Sequence, residues 1–105
     1  MTGYAGYCAE YTNMSIEGRP LERIMKGFAN HRRLAILTLL KKKPELSVAE
    51  ITREFGANYE NTSDHIRKLA IAGLVLKRYQ GKEVRHKLTE RAEVVLAFCK
   101  KLGDS

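Results

Sequence analysis

Three histidines, two cysteines and twelve acidic side chains are the groups in this 105-residue chain that could do bond-making chemistry, and their spacing argues against it. Cys8 and Cys99 stand at opposite ends of the chain, in no CxxC or Cys/His arrangement of metal-ligand spacing. No nucleophile–base pair, no two carboxylates at a usable separation and no glycine-rich phosphate loop is present. The expectation is a protein that is not an enzyme, with no catalytic residue, metal or other cofactor. Both cysteines are expected as free thiols, Cys99 packed as a small hydrophobe; a disulfide within or between chains is the less favoured alternative.

What remains is the chemistry of hydrogen bonds and charge. The stretch "NYENTSDHIRKLAIAGLV" (58–75) concentrates polar side chains ahead of an apolar run. On a helical wheel Thr62, Ile66, Leu69 and Gly73 form an inward stripe, with Tyr59 and Ala70 nearby. Asp64 then points outward among Glu60, Asn61, Arg67 and Lys68. These types suit base edges in a DNA major groove: asparagine for adenine, arginine or lysine for guanine or phosphate, aspartate for the cytosine amino group. Asn58, Tyr59, Ser63 and His65 complete the candidate reading set, although His65 is almost as well explained by a hydrogen bond within the domain. An ordinary solvated face, with Asp64 and Lys68 paired four residues apart, is the competing reading.

Charge sharpens this. The formal net charge is +7, yet residues 58–73 net zero, whereas 21–43 carry +6 and 74–88 carry +4. The neutral helix is flanked by two basic blocks, which favours an anionic partner held by the blocks and discriminated by the helix. Lys77, Arg78, Gln80, Lys82 and Arg85, around Gly81, are the better candidates for a phosphate backbone, joined by Arg32 at a helix start and Ser47. Arg33 is an alternative internal ion-pair partner, His31 and His86 carry no functional expectation, and the "KKK" of 41–43 reads as a solvated helix end.

These side chains need elements to hold them. Pro20 suits a first helical position, and Leu21, Ile24, Met25 and Phe28 recur at helical spacing, which predicts a helix over 20–29. Asn30 caps a second helix with Leu34, Ile36, Leu37 and Leu40 on its apolar face, ending before Pro44. Ser47 and Glu50 form a capping box for a third, stopped by Gly56; Asn58 caps the fourth, stopped by Gly73. The period then changes to two. Leu74, Leu76, Val84, His86 and Leu88 alternate with Lys77, Glu83, Arg85 and Lys87 about "YQGKE", a hairpin. Thr89 caps a last helix to about Leu102 whose apolar residues occupy most of its circumference. The expected class is mostly α with a small β-hairpin, in the order α-α-α-α-β-β-α: an arm over 1–19, a winged helix-turn-helix domain over 20–102 and a tail over 103–105.

At this point the residues resemble a family. "FANHRRLAILTLL" (28–40) and "LSVAEITREFGANYENTSDHIRKLAIAGLVLKRYQGKEVRHKLTE" (46–90) look like the core of the ArsR/SmtB-like transcription regulators, through Arg33, Leu34, Ile36 and Leu37, Ser63, His65 and Leu69, and "AGLV". MarR-like and small archaeal or viral winged-helix proteins share the architecture. The resemblance implies a homodimeric repressor whose fourth helices enter successive major grooves. Metal-sensing members carry a cysteine pair in the third helix or histidine with acidic ligands in the last. Here the third has no cysteine and the last no histidine.

The reading is therefore a DNA-binding transcriptional regulator, acting as a repressor on a palindromic operator in double-stranded DNA; whether it has a small-molecule inducer is not given by the sequence. Leu21, Ile24, Met25, Phe28, Val95, Leu96, Cys99 and Leu102 are the expected homodimer interface. A protein-interaction module and a nonspecific nucleic-acid binder remain alternatives. Apolar runs too short for a bilayer and no recognisable secretory signal predict no membrane partner and a cytoplasmic location.

Overall fold

The computed structural model describes residues 16–104. Cys8 and most of the expected arm lie outside them. Among the described residues are five helices and one hairpin: α1 (Gly18–Phe28), α2 (His31–Lys42), α3 (Val48–Phe55), α4 (Tyr59–Ile71), β1 (Val75–Gln80), β2 (Glu83–Leu88) and α5 (Glu90–Gly103). This is the winged helix-turn-helix order expected above.

The expected caps are in place. Asn30 Oδ1 accepts the backbone N–H groups of Arg32 (2.9 Å) and Arg33 (3.2 Å). Ser47 and Glu50 exchange both capping-box bonds, Asn58 accepts from Asn61, and Thr89 accepts from Ala92. Each such cap stabilises its helix by about 1 kcal/mol. Gly56 (φ 58°) and Gly73 (φ 76°) supply the left-handed stops on either side of α4.

One boundary differs. The first helix begins at Gly18, so Pro20 is its third residue rather than its first. Proline is tolerated there because the first-turn N–H groups have no intrahelical acceptor; the first such bond, Leu21 N–H to Glu17 O (3.3 Å), comes just after it.

The hairpin also differs in one respect. The register pairs Val75 with Leu88, Lys77 with His86 and Tyr79 with Val84, so these six share a face. Leu76 lies on the other face with Arg78 and Arg85 and is 59% exposed, while Val75 is buried. The alternation expected from Leu74 through Leu76 fails because Leu74 belongs to the turn after α4 and the strand starts one residue later. A single isolated bridge ties the wing to the segment before α3: Glu45 N–H donates to His86 O (2.9 Å) and His86 N–H to Leu46 O (3.0 Å).

The core gathers one side of every element. Leu37, Ile51, Ile66, Leu69 and Leu74 are sealed from solvent, each contributing about 1.5–3 kcal/mol of apolar burial. Ile66 and Leu69 thus fix the angle at which α4 presents its outer face. Phe28 and Val95, expected in a dimer interface, belong to this core. Leu21, Met25 and Leu102 are exposed, and Ile24, Leu96 and Cys99 pack partly against the core. Cys99 is a free thiol.

Candidate nucleic-acid interface

The inward stripe of α4 is as the wheel placed it for Thr62, Ile66 and Leu69, all buried. Tyr59, set near that stripe from sequence, is more than half exposed and turns toward the wing. Glu60, Asn61 and Arg67 are exposed; Ser63 and His65 are half-buried.

Asp64 is not a free outward carboxylate. Its Oδ1 accepts from Arg67 Nη2 (2.5 Å) and its Oδ2 meets Lys68 Nζ at 3.1 Å. Those hydrogen bonds, to Arg67 first and then Lys68, hold its carboxyl below the usual carboxylate range. One aspartate therefore occupies both cations of the helix. Lys68 also faces α1, lining a groove with Arg23 and Arg91.

His65 sits midway along α4, beside the first turn of α2. Its Nδ1 is shut off from solvent and has no hydrogen-bond partner among the described residues. Burial first, and the Arg33 guanidinium second, push its pKa down, so the ring is neutral near pH 7. Among the described residues Arg33 has no ion-pair partner. Its Nη1 donates to the carbonyls of Lys26 (3.2 Å) and Gly27 (3.0 Å), closing the end of α1. Arg91 does the same for α4, donating to Ala72 O (2.9 Å). A Cβ on Gly73 would meet that guanidinium at 2.6 Å.

The wing sorts its polar side chains by face. Arg78 Nε donates to both carboxylate oxygens of Glu45 (2.9 and 3.2 Å). Arg85 donates to Glu45 O (3.0 Å) and pairs with Glu83 and Glu50. Both arginines grip the Glu45 segment, whose backbone is in the left-handed region (φ 70°). On the opposite face Lys77, Tyr79 and Lys82 meet Ser47 and Tyr59 across a cleft between the hairpin and the first turns of α3 and α4. Neither lysine has a carboxylate partner among the described residues. Gln80 is exposed at the hairpin tip, and Arg32 at the start of α2.

Sequence reasoning missed Tyr79. Its signal was available: Lys77 and Tyr79, two apart in a strand, share a face. It also missed Glu45 and Arg91, whose partners are remote in sequence. His86 is a core histidine, 1% exposed, its Nδ1 2.8 Å from Leu46 O. Among the described residues no group of three or more His, Cys, Asp or Glu side chains could hold a metal ion, and no helix is long and apolar enough to cross a membrane.

Residues 30–77 match the family model for "Bacterial regulatory protein, arsR family". The winged helix-turn-helix domain of a possible transcriptional regulatory protein from Mycobacterium bovis superposes in its crystal structure with a TM-score of 0.73 at 30% identity, over 82% of this chain and 92% of that one. The chain belongs to the ArsR family. The solution structure of the same mycobacterial domain, described as homodimeric and possibly ArsR-family, gives a TM-score of 0.74 at 28% identity over 85% and 88% of the two chains. The transcriptional regulator HlyU of Vibrio vulnificus is similar at 28% identity and a TM-score of 0.70, over 89% and 97%. This ArsR-family chain is a DNA-binding transcriptional regulator and not an enzyme, and α3 and α4 are its helix-turn-helix.

Proposed function

We propose that this regulator is a cytoplasmic homodimeric repressor that occupies a palindromic operator in double-stranded DNA, with α4 in the major groove and the wing on the flanking backbone. The observation that carries the reading is the sorting of charge by face. Arg78, Arg85 and the α4 cations have protein partners, whereas Lys77 and Lys82 face the first turns of α3 and α4 with no carboxylate partner among the described residues, the nearby Glu83 being paired with Arg85. A backbone phosphate in that cleft would take both lysines, with the hydroxyls of Ser47, Tyr59 and Tyr79 as neutral donors. Base reading then falls to Asn58, Glu60, Asn61 and Ser63 in the first turns of α4. A homodimer is supported by the exposed apolar side chains of α1 and α5 and by the homodimeric mycobacterial domain.

Selection of duplexes from a random pool at two salt concentrations tests this. A palindromic consensus is the expected result. Binding with a steep salt dependence but no consensus would replace the repressor with a nonspecific nucleic-acid binder. A stable dimer without DNA binding at low salt would leave a protein-interaction module, which the Asp64-neutralised face of α4 would suit.

A further inference from the structure

A second cleft, about 600 Å³ in volume, lies between the first turn of α2 and the α3–α4 turn and borders the proposed DNA contacts. We infer that this cleft binds a small organic anion, an apolar body bearing one carboxylate, and that its occupation weakens DNA binding. The volume is that of a small-molecule site. Its apolar side is Ala35, Phe55 and the buried Ile36, which lies at its base. Its polar side carries Arg32, His31, His65 and Asn61, and no acidic residue among the described residues lines it. Arg32 is exposed and has no carboxylate partner among the described residues. Apolar walls facing an uncompensated guanidinium select an amphipathic anion over either a neutral molecule or a bare ion.

His65 reports on the site. The charged groups acting on it are Arg33 and Arg32 from α2 and Asp64 and Lys68 from α4, and only Asp64 favours its protonation. An anion beside Arg32 adds a second favourable charge, so an occupied cleft raises the His65 pKa. Coupling to DNA rests on the proposed reading of α4. Asn61 and Arg32 line the cleft and also belong to the DNA-contact set, and Asn58, which caps α4 through Asn61, lines it too.

Proton–nitrogen NMR on the full chain without DNA tests the site, with benzoate as probe, benzyl alcohol as its neutral counterpart and inorganic phosphate as the bare anion that a DNA backbone would also present. Benzoate should give saturable shifts at His65 and Ala57, bind about tenfold or more tighter than either control, and move the His65 titration upward. Ala35→Leu, which fills the cleft, should abolish those shifts. Arg32→Gln should weaken benzoate and leave benzyl alcohol unchanged, which keeps the test open if the leucine variant does not fold. No saturable benzoate shift, or equal affinity for phosphate, overturns the site. In the second arm, saturating benzoate should weaken affinity for a selected duplex about threefold or more at fixed salt. Unchanged duplex affinity with benzoate bound overturns the coupling alone. Absence of duplex binding before benzoate is added instead overturns the reading of α4, and the NMR arm still decides the site.

Discussion

On the proposed reading of α4, Asp64 tunes how strongly the helix attracts DNA, because a single carboxylate holds Arg67 and Lys68 at once. As an exposed pair its contribution to folding is small, since solvent screens it. Its effect on binding is larger: both cations are released together when the carboxylate goes. Asp64→Ala should therefore tighten binding to random duplex and steepen the dependence of log K on log salt by about 0.9 for each phosphate newly engaged, read by fluorescence anisotropy across a salt series. An unchanged slope would mean that Arg67 and Lys68 cannot reach phosphate even when free. From sequence the Asp64–Lys68 pair was visible, being four apart on one helix. Arg67 as a second partner was visible too at three apart, but a wheel shows proximity and not which of two cations a carboxylate takes. Arg33, Arg78, Arg85 and Arg91 were illegible in a deeper sense. Each closes a contact with a segment that local pattern does not reveal, Arg78 with Glu45 33 residues away and Arg85 with the same residue's carbonyl 40 away. A basic residue in a hairpin reads as solvent-facing until the fold supplies its acceptor.

At the scale of elements, the helices were legible because their ends are written in single residues: Asn30, the Ser47–Glu50 box, Gly56, Asn58, Gly73 and Thr89 all act where local chemistry requires them. The wing was legible as a hairpin but not by face, since a one-residue change in where β1 begins exchanges Leu76 for Val75. That partition predicts that Lys77→Ala with Lys82→Ala lowers the salt slope of duplex binding by about 0.9, for the one phosphate that both lysines would hold. Arg78→Ala should instead loosen the Glu45 segment, seen as faster amide exchange at Glu45 and His86, with little direct loss of slope. Equal slope losses in both variants would show that Arg78 leaves Glu45 for DNA. The wing also carries a pH response. His86 is neutral and donates from Nδ1 to Leu46 O, and burial, its largest influence, lowers its pKa below the ordinary value while the Leu46 bond opposes this. A histidine with a depressed folded pKa is protonated more readily when unfolded. Its stabilisation is thus full above the unfolded value of about 6.5 and is lost as pH falls through and below it. His65, depressed in the same direction, adds to the loss. The melting temperature should fall between about pH 7.5 and 5.5, and fall less in His86→Leu. Equal falls in both proteins would place the pH response elsewhere.

For the molecule as a whole, the unresolved demand is apolar surface. Val94, Phe98 and Leu102 recur every four residues on α5 and are 66%, 51% and 62% exposed, and α1 leaves Leu21 and Met25 in solvent as well. A single domain of this size has no further core to receive them. Sequence reasoning expected the excess on α1 and α5, which do carry exposed apolar side chains, but drew Phe28 and Val95 into it, because helical spacing shows which residues are apolar and not which of two opposed surfaces claims each one. A two-fold contact through α5 would bury the stripe against its own copy. It would also fix two α4 helices about one DNA turn apart, roughly 34 Å, which a palindromic operator requires. Phe98→Glu places a charge at the middle of the stripe while disturbing a side chain already half in solvent. The protomer should keep its helical signal and melt within a few degrees of the unmodified chain, yet sediment as a monomer. Operator affinity should drop about 100-fold or more, since each half-site must then be bound without the other. A Phe98→Glu dimer that still grips the palindrome would put the two-fold contact on another surface, with the exposed face of α1 next to be tested by Met25→Glu.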